Sequence, residues 1–406
     1  MHKWKIAAVF LLSLTVLIFK FFEPVFVYNS GWTDLEQDNK TLLITDLRDE
    51  QWEKAAGVAG ISFQETAKQS DAPAISIAVA IDGQLIWRAA TGYADIKEKR
   101  EITFEHQFRI GSTSKAVTAV AIGNLYDKGL IAFDKPMGEY DITLKGDVKH
   151  VTLGQAMSQR SGIRNYGSCF CFPIWEHRNR RHFSSVRDSI KVIEKSALLF
   201  EPGTQYQYTS LGYNLVGLAA ESVTNTSFED VLNDEVFAPL GMAHTQIEKN
   251  KSNLVTLYDT QNGRYKPAFH VDNSIRWPSG GIVSTPTDLV KLGSAMLDDR
   301  LLSENARAAL LNIPQEGREN GGEQYAHGWR VSGWGIGDDV VMSAYHHNGV
   351  AVGSFSVFVV FPEQGIVVSA MANKSVESVS ELKNLVDKIT TAFIENQTSN
   401  QDTGEE

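Results

Sequence analysis

Two β-hairpin patterns stand far apart in this chain and restrict the fold it can adopt. Alternating apolar residues run from Ala74 to Thr91 around Asp82-Gly83, a dipeptide typical of tight hairpin turns. A second pair of apolar strands runs from Val352 to Ala372 around the turn Pro362-Glu363-Gln364-Gly365. Residues 150–300 instead show helical patterns separated by Gly- and Pro-marked loops. We therefore expect an α+β fold, with one antiparallel sheet built from both ends, flanking helices and an inserted α-rich lobe.

Changes in composition predict four segments. Residues 1–28 have the pattern of a signal anchor or signal peptide, and residues 29–71 are polar and are predicted to form a stalk or linker. Residues 72–395 carry the strand and helix patterns and are predicted to form the folded domain. The polar tail 396–406 is predicted to be disordered.

The N-terminal segment predicts export. Lys3 and Lys5 precede a run of fourteen mainly apolar residues, Ile6 to Phe19, and Lys20 is followed by a second apolar stretch. No small-x-small cleavage site follows, so we expect an uncleaved membrane anchor with its basic end inside. The rest of the chain would then be extracytoplasmic, periplasmic or at the cell surface. If the segment is cleaved instead, the protein would be secreted.

Charge and cysteine content exclude several classes of function. The net charge of -11 argues against nucleic-acid binding. Cys169 and Cys171 are separated by one residue, which is poor geometry for a mutual disulfide. With His177 and His182 they would make a zinc site of non-standard spacing, and the alternative is a variable surface loop. No phosphate loop or dinucleotide fingerprint is present, so the sequence implies no cofactor, and we assign no metal-ligating residue.

A possible nucleophile lies in Ser112-Thr113-Ser114-Lys115. Ser112 precedes a stretch with a buried helical stripe, so Lys115 would lie beside it on one helical face. A serine needs a nearby base to attack a carbonyl, and a lysine can serve when burial or another cation lowers its pKa. Ser-x-x-Lys also occurs by chance, as a helix start with one exposed lysine.

Two further polar motifs follow in order, Tyr208-Thr209-Ser210 and His347-Asn348-Gly349. Together with Ser112 to Lys115, they make the chain resemble the serine β-lactamase and penicillin-binding protein superfamily. The similarity covers about residues 72–395, is to the class C-like branch, and is strongest to its mitochondrial serine β-lactamase-like type. Further matching runs are Phe108-Arg109-Ile110-Gly111, Ser161-Gly162-Ile163-Arg164, Glu201-Pro202-Gly203, Pro239-Leu240-Gly241-Met242 and Gly280-Gly281-Ile282-Val283-Ser284-Thr285.

The resemblance implies a role for each motif. Ser112 would be acylated, and Lys115 and Tyr208 would share the general-base and general-acid work. The backbone amides of Ser112 and Val350 would form an oxyanion hole. Ser210, His347 and Gly349 would line the substrate site, with His347 binding a substrate carboxylate or tuning Tyr208.

Two departures from the family pattern weaken the inference to β-lactams. Ser210 stands where asparagine is common, and His347 stands where many relatives have lysine. We therefore expect a hydrolase acting on peptide or ester substrates. The alternatives are a true β-lactamase or D-alanyl-D-alanine carboxypeptidase and, in another class, a non-catalytic binding or assembly module on the same fold. An exposed sheet edge would permit self-association.

Overall fold

The computed structural model describes residues 2–34, 43–167, 175–249, 252–315, 324–336, 340–376 and 378–402. Its strands are β1 Thr33–Asp34, β2 Leu43–Leu47, β3 Ala74–Ile81, β4 Gln84–Asp95, β5 Arg100–Glu101, β6 Phe108–Arg109, β7 Gln246–Ile247, β8 Tyr258–Gln261, β9 Arg264–Pro267, β10 Ile282–Ser284, β11 Arg330–Ile336, β12 Val340–Ala351, β13 Ser354–Phe361 and β14 Ile366–Ala372. Its α-helices are α1 His2–Asn29, α2 Glu53–Gln69, α3 Ser114–Asp127, α4 Met137–Tyr140, α5 Leu153–Met157, α6 Val186–Ile190, α7 Asn214–Thr224, α8 Phe228–Leu232, α9 Trp277–Gly280, α10 Pro286–Ser294, α11 Glu304–Leu311 and α12 Ser380–Asp402.

The main sheet has the strand order β11-β12-β13-β14-β3-β4-β2, with β5 added to β4. Every pairing in it is antiparallel, and β14 from the C-terminal hairpin lies beside β3 from the N-terminal one. Asp82 and Gly83 both have positive φ, 48° and 77°, as a tight primed hairpin turn requires. Both predicted hairpins and the predicted α+β class are confirmed, with one sheet built from the two ends of the domain.

Helices cover both faces of this sheet. The back layer consists of α2 and α12, which pack on each other and on the sheet through a buried cluster that includes Phe63, Trp87 and Phe393. The front layer begins with α3 and α10 and continues into the α-rich lobe. All eight residues of β3 are buried, because neither face of a central strand is left to solvent.

The predicted stalk differs from the structure. β2 pairs with β4 over Leu43–Leu47, and Ala55, Ala59, Phe63 and Ala67 of α2 form a buried stripe. This stripe has the four-residue spacing of one helical face, so the segment packs as part of the domain. The predicted tail also differs, because α12 continues to Asp402.

The N-terminal segment forms the helix α1. Within the part of the chain that the structure describes, no helix combines the length and apolar character needed to cross a membrane. The expected transmembrane helix therefore finds no support in the structure.

Candidate active site

Ser112 lies in a 3₁₀ turn, Gly111–Thr113, that leads directly into α3. Lys115 lies in the first turn of α3 and is fully buried, whereas Ser112 keeps part of its surface accessible. The helix starts here because the residues after it, among them Val117 and Val120, bury its faces in the front core. The prediction that the serine stands at the start of a buried helix is confirmed.

Two glycines allow the backbone of this turn to touch strand β12. Gly111 has φ of +51°, and a Cβ added to it would lie 2.8 Å from the Val350 nitrogen. A Cβ added to Gly349 would lie 1.8 Å from the Ile110 carbonyl oxygen. Neither position can hold a larger residue without moving the turn away from the strand.

Hydroxyl groups fasten the turn to β12 and β13. Thr113 Oγ1 donates to the His347 carbonyl oxygen at 3.0 Å. Ser356 Oγ donates to the Ile110 carbonyl oxygen and Ser354 Oγ to the Arg109 carbonyl oxygen, both at 2.9 Å. These bonds span more than 230 sequence positions and fix Ser112 relative to the edge of the sheet.

The Val350 amide is left unpaired by the sheet. A two-residue turn joins β12 to β13, so the residues that flank it, Ala351 and Ser354, form a hydrogen-bonded pair. Hydrogen-bonded and non-hydrogen-bonded pairs alternate along an antiparallel ladder, so the N–H of Val350 points away from β13. On that side β11 pairs with β12 only as far as His346. The Ser112 amide lies in a first helical turn, which offers it no acceptor. Both amides are therefore available to an oxyanion beside Ser112.

Lys115 has the surroundings of a neutral amine. Its Nζ lies 3.4 Å from Ser112 Oγ, 3.2 Å from Ser210 Oγ and 2.9 Å from the Ser279 carbonyl oxygen. Burial, with the nearby charges of Arg330 and Arg276, holds the pKa of Lys115 well below its ordinary value. An uncharged amine at this distance can accept the proton of the Ser112 hydroxyl.

Tyr208 joins Lys115 and Ser210 in the polar group around Ser112. Lys115 Nζ lies 4.7 Å from the centre of the Tyr208 ring. The Tyr208 hydroxyl oxygen is buried and makes no hydrogen bond of normal geometry with the described residues. Burial raises the pKa of Tyr208 to about 12, opposed by the neighbouring Ser112 hydroxyl and by Arg330. Tyr208 therefore keeps its proton and is suited to donate it to a leaving group.

His347 is buried and engaged at both ring nitrogens. Nε2 lies 3.0 Å from the Tyr325 hydroxyl, and Nδ1 lies 2.8 Å from the Asn348 carbonyl oxygen. Since that carbonyl can only accept, Nδ1 carries the proton, and Nε2 accepts from Tyr325. Burial and the charge of Arg330 hold the pKa of His347 well below its ordinary value. Of its two predicted roles, this geometry favours tuning Tyr208, through the shared neighbour Tyr325, over binding a substrate carboxylate.

Sequence reasoning missed several residues of the site. The Ser279 carbonyl oxygen is an acceptor for Lys115, and Asn165 Oδ1 accepts the Ser210 amide at 3.1 Å. Tyr325 packs edge to face on both Tyr208 and His347. Asn165 directly follows Ser161-Gly162-Ile163-Arg164, so the family run pointed to its neighbourhood, whereas Tyr325 carries no such local signal.

The conceivable zinc site lies partly outside the described residues, which do not include Cys169 and Cys171. His182 Nδ1 lies 3.0 Å from Asp272 Oδ2. Over the described ranges, no three His, Cys, Asp or Glu side chains gather closely enough to hold a metal ion.

The Beta-lactamase family model matches residues 62–390. The chain belongs to the β-lactamase family. The chain is 26% identical to the human protein named serine beta-lactamase-like protein LACTB, mitochondrial. The alignment extends over 293 residues and covers 56% of this chain and 53% of the human protein. The chain thus spans about half the length of that relative.

Solved structures show the same fold. The D-amino acid amidase from Ochrobactrum anthropi SV3 superposes with a TM-score of 0.70 at 20% identity, covering 85% of this chain and 99% of that one. The octameric penicillin-binding protein homologue from Pyrococcus abyssi superposes with a TM-score of 0.67 at 22% identity, covering 81% and 75%. Both superpositions show that this member of the β-lactamase family shares its fold with these two proteins.

Proposed function

We propose that the chain hydrolyses peptide or ester substrates through an acyl-enzyme at Ser112. The observation that carries the proposal is the buried amine of Lys115, 3.4 Å from Ser112 Oγ, with its pKa held low. Lys115 has no carboxylate partner among the described residues, which is unfavourable for a buried lysine, so its placement beside a partly accessible serine indicates a catalytic role.

The reaction would proceed in two halves. Lys115 takes the Ser112 proton while Oγ attacks the carbonyl carbon, and the amides of Ser112 and Val350 receive the oxyanion. The bond to the leaving group breaks as Tyr208 gives it a proton, and Lys115 returns its own to Tyr208. Water then attacks the acyl carbon, loses a proton to the same pair of groups, and Ser112 leaves with a proton restored.

The choice of peptide or ester substrates draws on the relatives and on the site. One relative is named a D-amino acid amidase and others are named penicillin-binding proteins, so amide bonds fit the fold. Ser210 offers a hydroxyl where a substrate-binding amide is common in the family, and His347 is neutral and enclosed. Both features reduce the site's fit to a β-lactam carboxylate.

Rates on three substrate types test this proposal. An activated ester, a chromogenic cephalosporin and a peptide ending in D-alanyl-D-alanine should be compared on wild type, Ser112→Ala and Tyr208→Phe, with Tyr345→Phe as a control. We expect ester or peptide hydrolysis that Ser112→Ala abolishes and Tyr208→Phe reduces roughly 100-fold. Faster cephalosporin turnover would instead identify a β-lactamase. No Ser112-dependent turnover of any substrate would favour a non-catalytic module.

We also propose that the N-terminal segment directs the chain out of the cytoplasm and anchors it. Support comes from the sequence alone, in which Lys3 and Lys5 precede the apolar run Ile6 to Phe19. Fractionation of cells producing the full chain, compared with a chain beginning at residue 30, tests this. Recovery of the full chain in the cytoplasmic fraction would overturn it.

Self-association is a further proposal, since one structural relative is described as octameric. β11 lies at an edge of the main sheet, and Val340 and Val341 beside it are exposed. Light scattering on the protein should detect an assembly that Val341→Lys weakens. A monomer at high concentration would contradict the proposal.

A further inference from the structure

A solvent-open cleft of about 680 Å³ begins at the oxyanion strand. One wall is the end of β12 and the turn that follows it, Val350 to Val352. The opposite wall carries Tyr166, His177, Arg178 and Arg276. Because Val350 borders both the cleft and the Ser112 turn, a group attached to the reacting carbonyl can extend into this space.

Arg276 brings a fixed positive charge close to the nucleophile. A Cβ added to Gly280 would lie 3.3 Å from Arg276 Cδ and 3.9 Å from the Gly111 carbonyl carbon, so the arginine stem passes beside the nucleophile turn. Its guanidinium carbon lies 4.6 Å from the centre of the Tyr166 ring, and Nη2 donates to the His177 carbonyl oxygen at 2.6 Å. These contacts hold the guanidinium in place without neutralising it.

The remaining donors on this wall lack acceptors. Among the described residues, Arg276 Nε and the Tyr166 hydroxyl are buried without a hydrogen-bond partner. A buried donor left unsatisfied is costly, so this arrangement indicates an acceptor supplied from outside the chain.

The nearby carboxylates are already engaged. Glu176 accepts from both guanidinium nitrogens of Arg164, at 2.6 Å and 3.0 Å. Asp259, which also lines the cleft, accepts a hydrogen bond from Ser375 Oγ at 2.6 Å. Burial lowers the pKa of His177, and the charges of Arg178 and Arg276 lower it further. Among the described residues, none forms an ion pair with Arg276.

The position of Tyr208 decides which part of a substrate reaches Arg276. Tyr208 would protonate the leaving group, and it packs against Tyr325 and His347 at the start of the exposed edge of β12. The cleft lies at the other end of that edge, beyond Val350. The leaving group would therefore depart toward Tyr208, and the acyl group would occupy the cleft.

We propose that Arg276 recognises a carboxylate on the acyl group, which makes acidic acyl groups the preferred substrate class. This inference rests on the proposed function at Ser112. A charge-assisted bond to Arg276, whose Nε is buried, should favour an acidic acyl group over its neutral amide by roughly tenfold or more. An acyl group ending in an ammonium should be hydrolysed more slowly than either.

Three esters with one leaving group test the preference. They are the para-nitrophenyl monoester of adipic acid, its terminal primary amide, and the para-nitrophenyl ester of aminocaproic acid. In wild type the kcat/KM ratio of acid to amide should exceed roughly ten, and in Arg276→Gln it should fall to about one. Arg276→Lys should retain part of the preference. Arg48→Gln changes net charge equally at an exposed position and should keep the ratio.

The outcomes separate this inference from the proposed function. Ser112-dependent hydrolysis of all three esters with no acid preference would overturn the role of Arg276 and leave the proposed function standing. If none of the three esters is hydrolysed, calorimetry on Ser112→Ala decides the inference, and the peptide and cephalosporin rates described above decide the proposed function. Adipate should bind that variant more tightly than adipamide, and Arg276→Gln in the same background should remove the difference. Equal binding of the two compounds would overturn the inference.

Discussion

The two faces of the main sheet differ in what they pack against: the back face carries an apolar layer and the front face carries the candidate active site. On the back face, the Trp87 ring packs between two phenylalanines in an apolar layer. Its centroid lies 6.5 Å from that of Phe63 and 6.2 Å from that of Phe393. On the front face, among the described residues, buried Lys115 has no counter-charge and the hydroxyl of Tyr208 has no hydrogen bond. The comparison indicates that the back layer supplies stability, which the front face partly gives up to hold reactive groups.

Strand β13 connects the two faces residue by residue. Phe355 and Val357 point into the back cluster, whereas Ser354 and Ser356 bind carbonyl oxygens next to the nucleophile turn. Successive side chains of a strand point to opposite faces, so one strand serves both layers. A shift of one residue in the register of β13 would turn its apolar side chains to the front face and its serines to the back face.

The largest expected effect on the front face is that of Lys115→Met. Loss of the base should lower turnover roughly 10³-fold, measured on an activated ester. Its effect on stability should depend on pH. The pKa of Lys115 is lowered in the folded state, so folding releases a proton that the unfolded chain would keep. This release lowers the free energy of unfolding of the wild type, and the penalty grows as pH falls below about 10.4.

Thermal unfolding checks this sign. The unfolding temperature of Lys115→Met relative to wild type should be higher at about pH 7 than at about pH 10, because most of the penalty on the wild type is gone near the unfolded-state pKa. A difference independent of pH would mean that Lys115 is charged in the folded protein, which would remove it as the base.

On the back face, Phe63→Ala should act on stability alone. Removing a fully buried ring leaves a cavity between α2 and the sheet, at a cost of about 3–5 kcal/mol in the free energy of unfolding. Turnover per folded molecule should be unchanged. Denaturant unfolding and active-site titration measure the two quantities separately, and a matched loss of turnover would contradict the division between the faces.

A smaller effect on both stability and turnover is expected from Tyr325→Phe. The change leaves His347 Nε2 buried without its hydrogen-bond donor, which should cost about 1–3 kcal/mol. Turnover should fall by a few-fold as the Tyr208 ring loosens. Tyr345→Phe, on the same strand as His347 but half-buried, is the matched control. Equal stability of the two variants would show that the Tyr325 bond contributes nothing.

Local sequence patterns predicted the hairpins because alternation and turn residues act over a few positions. The three ordered motifs likewise predicted which residues gather around Ser112, with Lys115, Ser210 and Tyr208 now found together. Other contacts join distant positions, such as Lys115 to Ser279, 164 residues apart, and no local periodicity reports them. The stripe of α2 was readable from its four-residue spacing, but its polar surroundings favoured a stalk.

The most direct test of the account is the covalent attachment of a substrate-like acyl or phosphonyl group. The protein should be treated with a fluorophosphonate, its intact mass measured, and the labelled peptide sequenced by tandem mass spectrometry. We expect one added group, located on Ser112, with labelling abolished in Ser112→Ala and slowed in Lys115→Met. Labelling of another residue, or labelling that persists in Ser112→Ala, would contradict the assignment of Ser112 as the nucleophile.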